Sequence, residues 1–374
     1  MRAAFWQGEA GVAVYDPGID VGAAIGTGLG PAAAPVDHGA AELKIAIVTD
    51  AWLPQTNGVV RTLCSLRDEL TALGHQVVMV TPQEFVTIPC PSYSEIRLAL
   101  ATPGGVGRVL NRLAPDAIHI VTEGPLGLAA RSYCKTQNLI FTTSFHTKFP
   151  EYIEARWGIP GSWIYAALRW FHSASAATMV ATESVRGELH SHGFGNLRNW
   201  TRGVDLQHFR PVPKPATDWP RPIFLFVGRV AVEKNLPAFL DLDLPGTKVV
   251  VGDGPQRAEL ERRYPEARFV GRQEGDALAA FYALADVFVF PSRTDTFGLV
   301  LLEALASGVP IAAFPVSGPL DLIGNSGVGA LSEDLRSAAL AALEISPDAC
   351  RERAAQFTWR NSAQQFLDNL RLTR

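Results

Sequence analysis

VFVFPSRTDTFGLVLLEALASGVPIAAFPV, residues 287–316, contains a strand, a helix and a second strand in immediate succession. VFVF is a short apolar run of β-branched and aromatic residues, the composition of a strand covered on both faces. LVLLEALAS consists mostly of strong helix formers and is closed by Gly308 and Pro310, a C-terminal stop signal. PIAAFPV then opens another apolar run. A buried strand that returns through a helix to a further buried strand is the unit of a parallel sheet. Whether the unit recurs decides the fold.

It recurs in both directions. Upstream lie IFLFVGR (223–229), TKVVVGDG (247–254) and RFVG (268–271), and earlier still KIAIVTD (44–50), QVVMVTP (76–82), AIHIVTE (117–123), IFTTSFH (140–146) and ATMVATE (177–183). Most of these runs end in a polar residue, as expected where the carboxyl ends of parallel strands line a crevice. Between the two series stands RPVPKPATDWPRP (210–222), whose prolines at 211, 213, 215, 220 and 222 support neither a regular helix nor a central strand. The expectation is an α/β chain with two doubly wound, Rossmann-like domains facing each other across a cleft. Their bounds are 43–210 and 223–350, with a linker at 211–222. The last segment, 351–374, is expected to form a helix that packs back toward the N-terminal domain, with Trp359, Ala363, Phe366, Leu367 and Leu370 available for its buried face.

Composition narrows the function. The chain has 374 residues, enough for two cores, and its net charge of −4 supplies no basic field for nucleic acid. Cys64, Cys90, Cys134 and Cys350 form no CxxC pair, which points to reduced thiols in a cytoplasmic protein rather than to zinc or disulfides. No run of 18 apolar residues suggests a membrane span. Residues 1–42 lack the features of a secretory peptide and are expected to be a disordered extension. Gly26, Gly28 and Gly30 within it imitate a dinucleotide fingerprint, but Pro31 and an alanine run follow where a helix is required.

Several constellations fall at strand ends. Asp295 and Thr296 occupy the strand-to-helix turn of the opening unit, where an acid or hydroxyl caps free amides, and Gly298 leaves room for a ligand at the helix start. As a lone Asp, Asp295 is an ordinary cap. Glu303 is harder to explain away, because an acid among Val300, Leu301, Leu302, Ala304 and Leu305 is costly unless it is exposed or meets a donor such as a ribose diol. Arg229 and Lys234, in FVGRVAVEKNL, offer a forked and a compact cation able to neutralise a departing diphosphate, although either alone would suit a solvated surface. Gly58 in TDAWLPQTNGVVRTL opens a helix start, either for a ligand or as ordinary turn chemistry. His146 in FHTKF ends a strand on the cleft side. Asp241 and Asp243 form an Asp-x-Asp pair, but they precede a Pro-Gly turn and read as surface residues rather than metal ligands.

In this order the motifs resemble the GT-B glycosyltransferases of family 4: Gly58 in the first loop, His146, GR…EKN with Gly228, VVGDGP, and PSRTDTFGLVLLEALASG. The resemblance spans about residues 43 to 370. It implies a donor site in which Asp295 holds sugar hydroxyls, Glu303 holds the ribose, and Arg229 and Lys234 stabilise the leaving diphosphate. Amides at Phe297, Gly298 and Leu299 assist, and His146 and Gly58 contribute from the acceptor side. The first acid of the family pair is more usually Glu, and here it is Asp295. The resemblance further implies a retaining hexosyl transfer from a GDP- or UDP-linked sugar, with the leaving phosphate accepting the acceptor's proton and no metal or other cofactor. TNGVVRTL, PSYSEIRLAL and SRTDTFG are most similar to a bacterial branch of mannosyltransferases and of sulfoquinovosyl and glucuronosyl diacylglycerol synthases. A lipid or glycan hydroxyl is therefore the expected acceptor.

WGIPGSWIYAALRWFHS (157–173) gathers Trp157, Trp163, Tyr165, Trp170 and Phe171 beside Arg169 and His172. It reads either as an interfacial helix making peripheral contact with the inner membrane surface or as an aromatic-rich core helix. Two other functions share the same cleft. A sugar-nucleotide 2-epimerase would need acids placed to remove a sugar proton, and only Asp295 and Glu303 offer themselves. A catalytically silent sugar-nucleotide-binding scaffold would be consistent with Asp295 in place of Glu, but retention of Arg229, Lys234 and Glu303 argues against it.

Overall fold

A computed structural model describes residues 41–55, 57–90, 93–146 and 160–374, with the side chains of 90 and 93–96 left aside. The extension at 1–40 and Trp157 lie outside the described residues. The first half supplies β1 (Lys44–Val48), β2 (Gln76–Val80), β3 (Thr87–Cys90), β4 (Tyr93–Ala99), β5 (Ala117–Ile120), β6 (Thr142–Phe145), β7 (Ala177–Val180) and β8 (Leu197–Asn199). Six of them make a parallel sheet in the order β2-β1-β5-β6-β7-β8, while β3 and β4 pair as an antiparallel hairpin. The second half supplies β9 (Ile223–Val227), β10 (Thr247–Val251), β11 (Arg268–Gly271), β12 (Val287–Phe290), β13 (Ile311–Ala313) and β14 (Gly329–Leu331). These form a parallel sheet in the order β11-β10-β9-β12-β13-β14. Both sheets are doubly wound, with the strand order reversing beside β1 and beside β9.

Uninterrupted apolar strands are explained by what covers them. Along β9, Ile223, Leu225 and Val227 enter one core cluster and Phe224 and Phe226 enter the cluster on the opposite face. Alternate side chains point to opposite faces, so a strand buried on both sides is apolar along its length except where buried polar groups pair with one another, as His119, Thr142 and Ser144 do on β5 and β6. Two of the three three-residue strands, β8 and β14, and the β3–β4 hairpin escape the sequence patterns because they present too few apolar positions to register, whereas β13 lies within the longer apolar run PIAAFPV.

The chain crosses between the halves twice. After β8 it runs through Val204, whose N–H donates to Phe357 O at 3.0 Å, and it returns along the helix Trp359–Asn369. That helix lies on the first half. Ala363, Phe366, Leu367 and Leu370 share a cluster with Leu63, Leu66 and Trp200, and Trp200 Nε1 donates to Ser362 Oγ at 3.1 Å. A Cβ on Gly203 would stand 2.3 Å from Trp359 N, so the outgoing and returning segments touch backbone to backbone. Arg351 ties the crossing, donating to Phe209 O and Ala306 O from Nη1 and to Leu206 O from Nη2.

Candidate active site

The loops that follow β9 and β12 build most of the site. Past β9, Gly228 and the exposed Arg229 lead into a single 3-10 turn, Val232–Lys234, which ends at Asn235 in the left-handed region (φ 52°). Asn235 Nδ2 donates to Pro291 O at 3.2 Å and so links this loop to the one after β12. The VVGDGP glycines have a packing duty here. A Cβ on Gly252 would lie 1.8 Å from Gly228 O, so only glycine lets the loop after β10 pass beneath the loop that carries Arg229.

Past β12, Asp295 meets Lys234. Lys234 Nζ donates to Asp295 Oδ1 at 2.6 Å and to Oδ2 at 2.8 Å, with each side chain 23% exposed. This corrects the expectation of an N-cap. Asp295 faces the cation rather than the helix amides, and the eight-residue helix Leu299–Ala306 starts behind Gly298, which has φ 81° and no side-chain oxygen to offer them. Phe297 is buried and Leu299 is the first helical residue.

Glu303 lies within that helix and is 3% exposed. A carboxylate so deep requires donors, and it has two. Tyr282 O–H donates to Oε2 at 2.8 Å, and Arg61 Nη2 pairs with Oε1. Burial, with the neighbouring Glu303 charge, pushes the Tyr282 phenol well above its ordinary range, so it remains a donor. At Arg61 burial is the largest single influence and opposes the charge, but Glu303, together with Tyr282 and Glu274, holds the guanidinium above its ordinary value. Arg61 belongs to the first half, one turn into the helix Gly58–Ala72.

That helix begins at Gly58, behind Asn57, whose side chain accepts from Val59 N and Val60 N at 3.0 Å each. A Cβ on Gly58 would stand 3.9 Å from Leu299 Cδ1, so the two helix starts face each other across the halves. His146 follows β6, and its carbonyl accepts from Thr296 Oγ1 at 2.8 Å. Its ring is fully engaged. Arg202 Nη2 lies 3.4 Å from Nδ1 and can only donate, so Nδ1 accepts and Nε2–H points to Ser144 Oγ at 2.8 Å. Ser144 in turn serves His119 Nε2 at 3.0 Å, and His119 Nδ1–H reaches Thr142 Oγ1 at 2.8 Å. Burial first, and then the charge of Arg202, holds His119 down to about 3 and His146 well below 6.5. Both imidazoles are neutral.

The fold thus joins Lys234 to Asp295, sets Gly58 against Leu299 and His146 against Thr296, and places Arg229 just past the end of β9. It gives Glu303 partners that sequence reading missed. Arg61 had a signal, since it falls three residues after Gly58 on the same helical face. Tyr282 and Arg202 had none, because each contact is made only by the tertiary fold. Asp241 accepts from Tyr264 O–H at 2.6 Å, and among the described residues no group of three or more His, Cys, Asp or Glu can hold a metal ion.

Two family models match the chain: Glycosyltransferase Family 4 over residues 56–208 and Glycosyl transferases group 1 over residues 221–346. Among curated proteins, it is 31% identical over 320 residues to the GDP-mannose-dependent alpha-mannosyltransferase of Mycolicibacterium smegmatis, covering 77% of this chain and 84% of that one. It is 32% identical over 286 residues to the sulfoquinovosyl transferase SQD2 of Arabidopsis thaliana, covering 68% of this chain but only 56% of the relative's length. Among solved structures, sucrose-phosphate synthase from Thermosynechococcus elongatus superposes with a TM-score of 0.70 at 20% identity, over 87% of this chain and 97% of that one.

Proposed function

Because the chain belongs to the glycosyltransferases of family 4 (group 1), we propose that it transfers a hexosyl group, with retention, from a GDP- or UDP-linked sugar to a lipid or glycan hydroxyl. The observation that carries this reading is the row formed by Lys234–Asp295, the start of the helix Leu299–Ala306, and the buried Glu303. A nucleotide sugar has the matching sequence of groups: sugar hydroxyls, diphosphate, ribose diol.

In this assignment Asp295 accepts from the sugar hydroxyls and Glu303 from the ribose. Arg229, Lys234 and the amides at Phe297, Gly298 and Leu299 receive the diphosphate, with Gly228 giving the loop its close approach. The acceptor oxygen forms its bond to C1 on the face from which the C1–O(phosphate) bond breaks, and its proton passes to the departing phosphate oxygen. Lys234 offsets the charge that develops there. His146, neutral and locked by Ser144 and Arg202, is suited to hydrogen bonding and to shaping the sugar pocket with Gly58, not to shuttling protons.

A lipid acceptor is supported by the helix Gly161–His172. Tyr165, Leu168, Phe171 and His172 face the core, while Trp163, Ala166, Ala167 and Trp170 form an exposed stripe at helical spacing. The two tryptophans are 72% and 56% exposed, and the Arg131 guanidinium lies 3.8 Å over the Trp170 ring. The exposed indoles, with the exposed Arg169 on the same helix, suit a headgroup layer, whereas the Arg131 guanidinium is buried and donates to Trp170 O and Phe171 O. No helix among the described residues is long and apolar enough to cross a membrane, so contact would be peripheral.

Thermal shift against UDP, GDP and their sugar conjugates is the direct test, since a ligand bound only by the native state raises its apparent stability. Stabilisation by one nucleotide series that is lost in Glu303→Gln supports the reading. No shift with any nucleotide at saturating concentration sinks it. Co-sedimentation with anionic vesicles, retained by the wild type and lost in Trp163→Ala/Trp170→Ala, tests the acceptor side.

A further inference from the structure

Glu303 is the ribose acceptor in the function proposed above, yet each of its oxygens already has a donor packed against it. Its side chain is 4% exposed, so a ribose reaches it only after a neighbour moves. The two neighbours differ. Tyr282 is fully buried among core residues and has nowhere to go. Arg61 approaches from the other half of the molecule, and its side chain is 46% exposed. Of the two neighbours it is therefore the one with room to move, and the loss of its ion pair is offset only when another donor takes its place at Oε1.

We propose that Arg61 is a donor-site residue that competes with the nucleotide's ribose for Glu303, so that nucleotide entry releases one of the contacts holding the two domains together. The inference rests on Glu303 as ribose acceptor. The exchange is balanced: hydroxyl donors replace the guanidinium at Oε1 while Tyr282 keeps Oε2, and the buried carboxylate is never without a donor. Other contacts between the halves survive it, including Thr296 Oγ1 to His146 O and Ser184 N to Asp321 Oδ1 at 3.1 Å. Arg61 therefore acts as a latch on the donor site and not as the hinge. Apparent affinity falls by the fraction of molecules in the unlatched state, so a latch closed for roughly 70–90% of the time raises the apparent Kd about three- to tenfold.

Isothermal titration of UDP and GDP into wild type, Arg61→Met, Glu303→Gln and Arg61→Met/Glu303→Gln tests this. For whichever nucleotide the wild type binds, Arg61→Met should tighten binding about three- to tenfold. In Glu303→Gln, where the ribose acceptor and the charge to latch are both gone, binding should be lost or much weakened and adding Arg61→Met should not restore it. Unchanged or weaker binding by Arg61→Met overturns the proposal, weaker binding identifying Arg61 as a ligand of the nucleotide itself. If the wild type binds neither nucleotide, or binds one with an affinity that Glu303→Gln leaves intact, the assignment of Glu303 fails, and that result is distinct from a failure of the latch. Should Arg61→Met not fold, Arg61→Lys, which lacks the second N–H arm of the fork, must tighten binding in the same direction by a smaller factor.

Discussion

Lys234 and Asp295 stand 61 residues apart in sequence and meet at hydrogen-bond distance. At that scale the sequence identifies which residue types are available and only the fold decides whom they face. Asp295 is an acceptable cap on paper and a lysine partner in space. Because the pair is partly exposed, losing it should cost folding little, about 0–1 kcal/mol. Its effect on turnover should be much larger. Lys234→Ala is expected to lower kcat on the order of 100- to 1000-fold, the range for removing one preorganised donor to a developing anion, with Tm almost unmoved. Undiminished turnover would take Lys234 out of the mechanism. The neutral histidines make a second prediction. Below pH 6.5 the unfolded chain protonates residues 119 and 146 while the folded protein does not, so the unfolded state binds more protons and stability falls as pH falls. Each histidine contributes about 1.4 kcal/mol per pH unit within its window, which for His119 runs from 6.5 down to about 3. Denaturant titrations between pH 7 and 4.5 should show this slope, and since burial comes before the charge of Arg202 among its causes, Arg202→Met should leave most of it in place. A stability that does not fall between pH 7 and 4.5 would mean that the folded protein protonates both rings after all.

Among elements, the strands were the most legible part of the molecule, because burial on both faces writes an unbroken apolar run. The ten runs quoted from the sequence each contain a strand of one of the two sheets. The helix Gly161–His172 was ambiguous for a physical reason: it has an apolar core face and an apolar exposed face, so composition alone cannot separate a core helix from an interfacial one. Glycines were ambiguous in the same way. VVGDGP suits a nucleotide loop and a tight turn equally, and the missing Cβ of Gly252 in fact accommodates Gly228 O. Gly252→Ala should therefore act at a distance. With φ at 144° and a 1.8 Å clash against backbone, it must displace the loop that carries Arg229, at about 1–3 kcal/mol of strain. The expected result is a loss of nucleotide affinity in a protein that still folds, read by titration beside circular dichroism. Full affinity would show that the loop does not depend on this contact.

For the whole molecule, the closing helix matters most. Phe366 is fully buried between Trp200 and His119, with ring centroids 5.2 and 4.9 Å away. Phe366→Ala should cost about 3–5 kcal/mol, as for other large-to-small changes in a packed core. The loss should appear as a lower midpoint in denaturant, with the first half unfolding ahead of the second; a change below about 1 kcal/mol would mean that the helix is not part of that core.

Because the chain leaves the first half at Val204 and re-enters beside Phe357, its connectivity is that of a host with a guest inserted. The two connecting strands run side by side, like a strip hinge, and such a joint folds about one line more readily than it twists about another. The same adjacency offers a surgical route. Joining residue 204 to residue 358 through a short turn would remove the guest and leave the host with every strand of its own sheet and its closing helix.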